Sequence, residues 1–251
     1  MNLAIILPAR DEEGSIVRTL RAIPSGIARQ VVVVDNGSTD RTAAAARGAG
    51  AEVVLEPCRG YGRACLAGLE RLRDGIDAVA ILDADGADDS SRLPEMLALV
   101  ERGEADLVLG ARRLGDARQN LAPPQRFGNW LAVALIRWFW GHRYSDMGPM
   151  RVIRRDALDR LGMADTTWGW NVEMQVKAVT QGLRILELPV AYHQRIAGES
   201  KISGSLTGTV RAGVKILGTI GRLWWTTGGG GHPAVGARRE RKESLPLPAE
   251  R

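Results

Sequence analysis

Short apolar runs of strand length recur along the first half of the chain, with segments of helical length between them. The runs are 2–7, 30–34, 52–55, 78–82 and 106–109. Strands that alternate with amphipathic helices are typical of a mostly parallel sheet covered by helices on both faces. The pattern therefore predicts an α/β nucleotide-binding architecture from residue 1 to about residue 115, with ligands at the carboxyl ends of the strands.

The predicted strands end in polar, acidic segments. "PARDEEGS" follows the first strand, "DNGSTDRT" the second and "DADGADD" the fourth. Because the carboxyl ends of parallel strands meet at one edge of a sheet, these three loops should converge.

A dinucleotide-binding dehydrogenase needs a glycine-rich turn after its first strand, whereas Pro8, Arg10, Asp11 and Glu12 stand there. We therefore disfavour a dehydrogenase.

The segment "AILDADGADDS", residues 80–90, brings Asp83, Asp85, Asp88 and Asp89 close together. Such charges repel each other unless water, a cation or a helix N-terminus takes up the charge. The segment is therefore either a hydrated loop or a cation site. Mg²⁺ and Mn²⁺ prefer oxygen ligands and are commonly held by one or two carboxylates plus substrate phosphates. The partner at a cation site would then be a diphosphate.

Size and charge limit the protein class. The 251 residues suit one large domain or one domain with an appendage, and the net charge of +5 is modest. We expect no nucleic-acid partner. Cys58 and Cys65 lack the spacing of a zinc site and suit a reducing cytoplasm. No N-terminal signal is apparent, and the apolar stretch 130–141 is interrupted by Arg137 and too short for a bilayer. The chain is expected not to cross a membrane.

Three motifs in this order resemble family 2 glycosyltransferases of the GT-A fold: "PARDEE", "VVVDNGSTDRT" and "DADG". The second half is similar to the branch that transfers sugars to polyprenyl phosphate and dolichol phosphate. Its matching segments are 145–158, 169–179 and 195–204. The similarity spans residues 2 to about 222. One departure is that Gly86 and Ala87 follow the acidic triplet, where the branch commonly has Leu or Met and then Gln or Ser.

The resemblance implies an inverting transferase that moves a hexose from a nucleotide donor, a UDP- or GDP-hexose, to polyprenyl phosphate with Mg²⁺ or Mn²⁺. A transferase acting on a hydroxyl acceptor keeps the fold and the donor, and a non-catalytic nucleotide-sugar-binding protein is a further alternative. A nucleotidyltransferase would show a glycine-rich, basic triphosphate loop after the first strand, where this chain has acids. The donor base and the oligomeric state stay open.

The resemblance also implies residue roles. The donor-binding residues would be Pro8, Arg10, Glu12, Asp35, Arg63, Asp83 and Ala84. The catalytic residues would be Asp85, Arg112, Asp146 and Glu173. The residues that meet the acceptor or its phosphate would be Arg112, Arg195, Ser200 and Lys201. The metal ligands would be Asp83 and Asp85. Asp146 or Glu173 would be the general base for a hydroxyl acceptor, whereas for a phosphate acceptor they would position the acceptor or a basic side chain.

Several of these residues also have purely structural explanations. The acids Asp11, Glu12 and Glu13 favour the N-terminus of a helix over 13–22. "DNGST" can be a turn in which Ser38 or Thr39 caps the next helix, which leaves Asp35 unexplained. Gly60 and Gly62 could simply form an ordinary loop-to-helix turn. Arg112 could be a surface arginine, and Glu173 an exposed residue of a helix. The segment 195–201 could be a polar linker. For Gly60 and Gly62 the functional alternative is a phosphate met by backbone donors and by Arg59 or Arg63.

Two helices predicted in the second half carry tryptophan and basic residues. They cover 126–140 and 209–225, and the second places Arg211, Lys215 and Arg222 on one face. This composition suits helices that lie in a membrane interface. We predict peripheral attachment to the cytoplasmic membrane face, a transferase domain over 1–225 divided into a donor half (1–115) and an acceptor half (116–225), and a flexible basic tail over 226–251.

Overall fold

The computed structural model describes residues 1–112, 121, 123–194 and 206–227, with backbone alone for Pro124 and 206–212. The strands are β1 (Leu3–Ala9), β2 (Ala28–Asp35), β3 (Glu52–Leu55), β4 (Ala78–Ile81), β5 (Leu107–Arg112), β6 (Arg151–Arg154) and β7 (Ile185–Val190). The helices are α1 (Ile16–Ala22), α2 (Thr42–Gly48), α3 (Tyr61–Glu70), α4 (Leu93–Glu101), α5 (Pro123–Trp140), α6 (Arg155–Leu161), α7 (Trp170–Thr180) and α8 (Leu206–Thr226).

The strands form one sheet in the order β3-β2-β1-β4-β6-β5-β7. All neighbouring pairs are parallel except those of β6, which runs antiparallel to both β4 and β5. The five predicted strands and the mostly parallel α/β fold are confirmed. The sequence pattern did not predict β6 and β7, and β6 is the antiparallel strand inside the described sheet.

Side chains that alternate along the strands build a core on each face of the sheet. From β1, Ala4 and Ile6 point to the layer that contains α3, α5, α6, α7 and α8. Leu3, Ile5 and Leu7 point to the opposite layer, which contains α1, α2 and α4. All five of these side chains are fully buried, which at about 25 cal/mol per Å² of apolar surface is the main stabilising contribution of the strand.

Helices α5 and α8 pack against each other at their carboxyl ends. The rings of Phe139 and Trp224 have centroids 5.7 Å apart, and the Trp140 Nε1–H donates to Thr227 Oγ1 (3.2 Å). Both helices were predicted, to within three residues at each end. Within the described ranges, no helix combines the length and apolarity that crossing a bilayer requires.

The predicted basic face of α8 is exposed and also contacts the protein. Lys215 lines a cavity at the edge of the sheet, and Arg222 pairs with Asp165 at 3.5 Å and with Glu173 at 3.8 Å. The side chain of Arg211 lies outside the described residues. Lys215 and Arg222 are nevertheless exposed, so the expectation that the basic residues of this helix form the polar side of an interfacial helix stays a prediction.

Candidate active site

A cavity of about 410 Å³ opens at the carboxyl ends of β1, β2 and β4. The three acidic loops converge there as predicted, because these strands are parallel neighbours. The lining residues from these loops are Pro8, Ala9, Arg10, Glu12, Asn36, Asp83, Ala84 and Asp85. The second half of the chain contributes Thr167, Trp168 and Lys215, and the start of α3 contributes Arg59, Gly60, Tyr61 and Ala64.

The loop after β4 holds its two aspartates by hydrogen bonds within the loop. Asp85 is 2% exposed and its Oδ1 accepts from the Ala87 N–H (2.9 Å), while the Asp83 N–H donates to Asp88 Oδ2 (2.9 Å). Gly86 has a φ of 75°, a left-handed conformation that glycine adopts without strain. The glycine after the acidic triplet is therefore explained by this turn.

Negative charge is concentrated in this loop. Desolvation, followed by the charge of Asp83, raises the pKa of Asp88 well above its ordinary value. The Ala84 carbonyl accepts hydrogen bonds from Ser15 Oγ (3.1 Å) and Thr19 Oγ1 (3.0 Å), so α1 holds the loop from behind. The packing keeps these carboxylates near one another despite their repulsion, as a cation site requires.

The donor set fits a hard divalent cation bound together with a substrate. Asp83 and Asp85 both line the cavity and offer only oxygen ligands. Over the part of the chain that the structure describes, no group of three or more His, Cys, Asp or Glu side chains could hold a metal ion. Mg²⁺ commonly binds through one or two carboxylates and completes its shell with water and substrate phosphates. Asp83 and Asp85 could therefore hold such an ion once a diphosphate is present.

The loops after β1 and β2 are bonded to each other. Glu12 accepts from Ser15 Oγ through Oε2 (2.7 Å) while its N–H donates to Thr42 Oγ1 (2.7 Å). Asp35 is 7% exposed, accepts from the Ser38 N–H (2.8 Å) and does not line the cavity. This bond supplies the structural explanation of Asp35 that the sequence lacked. The neighbouring Asn36 lines the cavity instead.

The alternative in which Ser38 or Thr39 caps the helix after β2 is wrong. Helix α2 begins at Thr42, and the Thr42 N–H donates to Asp40 Oδ1 (2.9 Å). Ser38 Oγ and Thr39 instead contact the loop after β1: Ser38 Oγ accepts from the Asp11 N–H (3.0 Å), and the Thr39 N–H donates to Asp11 Oδ1 (2.7 Å). The "DNGST" turn therefore connects two loops of the candidate site.

The start of α3 does not offer its backbone donors to a phosphate. The Gly62 N–H donates to the Thr167 carbonyl (3.2 Å) and the Arg63 N–H to the Thr166 carbonyl (3.1 Å). The Gly60 N–H donates to Asn36 Oδ1 (2.7 Å). The predicted phosphate contact through these amides is therefore wrong. Arg59 lines the cavity and Arg63 does not.

Gly62 is required by the close approach of two backbones. A Cβ at this position would overlap the Asp165 carbonyl oxygen and lie 2.8 Å from the Asp165 and Thr166 carbonyl carbons. We expect Gly62→Ala to lower the free energy of unfolding by about 1–3 kcal/mol, because neither backbone can move freely. Gly48, in α2, has open space around it, so Gly48→Ala should be neutral or slightly stabilising. Urea denaturation of both variants measures the two free energies of unfolding. Equal stability of Gly62→Ala and Gly48→Ala would contradict the close approach at Gly62.

Arg112 and Asp146 form a bidentate ion pair beside the cavity rather than in its lining. The distances are 2.7 Å from Nε to Oδ2 and 2.8 Å from Nη2 to Oδ1, and the Arg112 guanidinium lies 5.1 Å from the centroid of the Tyr192 ring. Burial would lower the pKa of Arg112, but the hydrogen bond and charge of Asp146 outweigh it and raise that pKa. Asp146 thus holds a basic side chain and is poorly placed to be a base.

Glu187 supports this pair from β7. It accepts from the Ser145 N–H (2.9 Å) and the Asp146 N–H (3.3 Å), and burial raises its pKa. The antiparallel bridge between Tyr192 and Asp88 then connects the segment after β7 to the acidic loop. Arg112 is therefore linked to the carboxylates through Tyr192.

Glu173 has a structural role in the described contacts. It is 1% exposed, so the alternative of an exposed helical residue is wrong. Its Oε2 accepts from the Ala164 N–H (3.0 Å) and the Asp165 N–H (2.7 Å), and its Oε1 pairs with Lys177 (2.9 Å). Glu173 does not line the cavity and holds the loop 162–169.

The cavity residues Trp168 and Lys215 were not predicted as site residues from the sequence. The rings of Tyr61 and Trp168 stack with centroids 6.0 Å apart, and Trp168 forms one wall of the cavity. Trp168 and Lys215 lie far along the chain from the acidic motifs, so only the fold brings them together. Arg195, Ser200 and Lys201 lie outside the described residues.

Comparison with known proteins identifies the family. The model of "Glycosyl transferase family 2" matches residues 4–162. An uncharacterized glycosyltransferase of Mycobacterium tuberculosis is 41% identical over 219 residues, which is 84% of this chain and 94% of that protein. The undecaprenyl-phosphate mannosyltransferase of Micrococcus luteus is 30% identical over 235 residues, which is 88% of this chain and 96% of that protein.

A solved structure is similar in fold. Glucosyl-3-phosphoglycerate synthase from M. tuberculosis, in complex with Mn²⁺, UDP and glucosyl-3-phosphoglycerate, matches with a TM-score of 0.68 at 20% identity. The match covers 94% of this chain and 82% of that chain. It confirms the predicted GT-A fold. The family model and the relatives together show that this chain belongs to glycosyltransferase family 2.

Proposed function

We propose that this glycosyltransferase moves a hexose from a nucleotide-diphosphate sugar to a polyprenyl phosphate with inversion at the anomeric carbon. One observation carries the proposal: Asp83 and Asp85 line a cavity at the carboxyl ends of three parallel strands. The name of the M. luteus relative, a mannosyltransferase acting on undecaprenyl phosphate, supports the lipid acceptor. The M. tuberculosis structure with UDP and Mn²⁺ supports the donor class and the cation.

The residue contacts favour a phosphate as the nucleophile. A hydroxyl acceptor needs a general base, and both predicted bases are engaged, Asp146 by Arg112 and Glu173 by Lys177 and two backbone N–H groups. A phosphate is ionised at neutral pH and needs no base. Its oxygen would form the new bond to the anomeric carbon while the bond to the donor diphosphate breaks, and the electron pair would leave with the nucleoside diphosphate.

A Mg²⁺ or Mn²⁺ ion held by Asp83 and Asp85 would neutralise the charge that builds up on the leaving diphosphate. The chain's own residues bind and orient the donor. Arg59 and Arg10 line the cavity as cations, and the turn at Gly86 allows the Ala87 N–H to hold the Asp85 carboxylate. Pro8 and Glu12 would lie near the donor base. Arg195, Ser200 and Lys201 stay predicted acceptor-side residues.

Transfer of a labelled hexose from a UDP- or GDP-sugar, with polyprenyl phosphate and Mn²⁺ present, tests the proposal. We expect labelled product in the organic phase. Product found only in the aqueous phase would favour the hydroxyl-acceptor alternative. Nucleotide-sugar binding without transfer or hydrolysis under any condition would favour the non-catalytic alternative.

We further propose that the exposed apolar faces of α5 and α8 seat the enzyme on the cytoplasmic membrane surface. On α5, Phe127, Trp130 and Trp138 are 62%, 62% and 83% exposed, and their helical spacing places them on one face. On α8 the exposed apolar residues are Val214, Leu217, Trp224 and Trp225. Exposed Arg126 and Arg137 accompany the α5 face, and cations beside interfacial tryptophans complement anionic lipid.

Pelleting with phosphatidylglycerol-containing vesicles at low salt tests this surface. The protein should pellet, and salt should weaken binding because it screens the arginines. The double variant Trp138→Ser with Trp225→Ser should stay in the supernatant. Leu55→Ser removes an exposed apolar residue (64%) from β3, away from this face, and should pellet like the wild type. Recovery of the wild type in the supernatant at every salt concentration would contradict the proposal.

A further inference from the structure

Helix α8 presents three different faces along its described side chains. At 100° per residue, Lys215, Thr219 and Arg222 lie within 60° of one another. Ile216, Ile220 and Leu223 form a second face that packs in the core. The exposed residues Val214, Leu217, Trp224 and Trp225 form the third. The helix that carries part of the proposed membrane surface therefore also reaches the candidate active site.

Among the α8 residues whose side chains the structure describes, Lys215 lines the cavity. The same cavity contains the proposed metal ligands Asp83 and Asp85, and its walls include Trp168. A lysine ammonium there is a point charge on a flexible stem, which suits binding of a phosphate oxygen. Nothing in the sequence motifs singles out this position as a site residue.

A polar cluster fixes α8 against the loop that precedes α7. Thr219 Oγ1 donates to Asp165 Oδ2 (3.0 Å), and Arg222 lies 3.5 Å from the same carboxylate oxygen. Asp165 Oδ1 accepts from the N–H and Oγ1 of Thr167, both at 2.7 Å. Thr167 itself lines the cavity. Asp165 therefore joins one wall of the cavity to the helix that carries Lys215.

The cluster is held together by charge as well as by geometry. Burial opposes ionisation of Asp165, yet the hydrogen bonds from Thr167 and Thr219 and the charge of Arg222 lower its pKa overall. Glu173 binds the N–H of Asp165 from the other side (2.7 Å). A Cβ on Gly169 would overlap Thr219 Oγ1, so the helix and the loop are in direct contact there.

We propose that Lys215 binds a substrate phosphate in the cavity, and that the Asp165–Thr219–Arg222 cluster positions α8 so that Lys215 faces it. The inference rests on the proposed function. Because the same helix exposes Trp224 and Trp225 to the proposed membrane surface, we assign Lys215 to the phosphate of the lipid acceptor. The donor diphosphate has the same chemistry and is distinguished by the test.

Isothermal titration of the full chain separates the two phosphates. The probes are farnesyl phosphate, a short polyprenyl phosphate, and UDP and GDP with Mn²⁺. Lys215→Gln should raise the Kd for farnesyl phosphate about tenfold or more, as expected for loss of one charge-assisted hydrogen bond. Lys215→Arg should retain most of the affinity. Arg160→Gln, which removes an exposed cation paired with Asp156, should bind like the wild type.

Each outcome of the titration decides the assignment. If Lys215→Gln weakened the binding of UDP or GDP but not of farnesyl phosphate, Lys215 would be a ligand of the donor diphosphate instead of the acceptor phosphate. Unchanged binding of all probes by Lys215→Gln would overturn the proposal, as would a wild type that binds none of them. If the wild type binds nucleotide but transfers sugar only to hydroxyl acceptors, the proposed function fails, and the nucleotide titration still tests Lys215.

A double-mutant cycle tests the positioning role. Thr219→Val keeps the shape of the side chain and removes its hydrogen bond to Asp165. It should raise the Kd for farnesyl phosphate a few-fold in the wild type and have no further effect in Lys215→Gln, because it acts through Lys215. Equal effects of Thr219→Val in both backgrounds would overturn the positioning role, and circular dichroism checks that the variants are folded.

Discussion

Asp85→Asn should lower kcat/KM for sugar transfer by about 10²–10³-fold, the loss typical when one group that stabilises transition-state charge is removed. The side chain is 2% exposed, and its Oδ1 accepts from the Ala87 N–H. Asparagine keeps an oxygen for that bond, so the turn at Gly86 should survive. The substitution removes the negative charge that would bind the cation. We expect the defect in Mn²⁺-dependent turnover and near-normal thermal stability.

The control for charge alone is Asp74→Asn. Asp74 is exposed and lies near the start of β4, at the opposite edge of the sheet from the cavity. The transferase activity of Asp74→Asn should match that of the wild type. Turnover of Asp85→Asn within a few-fold of the wild type at saturating Mn²⁺ would contradict the role of Asp85. A large loss of stability in that variant would show instead that the carboxylate is structural.

Arg112→Gln should lower the free energy of unfolding by about 3–5 kcal/mol, because it leaves the Asp146 carboxylate buried without its cation. Only 8% of the Asp146 side chain is exposed, and Arg112 supplies three hydrogen bonds to it from Nε, Nη2 and the backbone N–H. Glu187 lies next to the same loop, so a second acidic group adds to the repulsion. Urea denaturation measures the loss.

Removing both charges should restore part of the lost stability. The variant Arg112→Gln with Asp146→Asn leaves no unpaired buried charge and should be more stable than Arg112→Gln. For comparison, Arg155→Gln breaks an exposed pair with Asp159, which should cost about 0.5 kcal/mol or less. If Arg112→Gln were as mild as Arg155→Gln, the Arg112–Asp146 pair would not hold the structure as described.

The strands that the sequence revealed were those with uninterrupted apolar runs. The strand β6, "RVIR", begins with Arg151 and ends with Arg154, so its pattern resembles a charged loop. Arg151 is nevertheless fully buried, since its Nε donates to the Pro149 carbonyl (2.8 Å) and its Nη2 to the Gly148 carbonyl (2.7 Å). Desolvation lowers its pKa. Hydrogen bonds to the carbonyls of Pro149 and Gly148 satisfy the buried guanidinium, and the residue pattern alone does not show them.

The sequence located the candidate site better than it located individual side chains. Pro8, Arg10, Glu12, Asp83 and Asp85 line the cavity. After β2, the cavity is lined by Asn36, whereas the sequence predicted its neighbour Asp35. Successive side chains of a strand point to opposite faces, so a motif at a strand end does not say which residue faces the ligand. The positions of Trp168 and Lys215 depend on packing between distant segments, which no local pattern encodes.

The position of a cation and a nucleotide in crystals tests the central claim most directly. Crystals grown with Mn²⁺ and a UDP- or GDP-hexose should show an anomalous Mn²⁺ peak between the carboxylates of Asp83 and Asp85 and the donor diphosphate. Mn²⁺–oxygen distances of about 2.2 Å are expected for carboxylate ligands. A nucleotide sugar bound with its diphosphate away from this loop, or Mn²⁺ bound elsewhere, would contradict it.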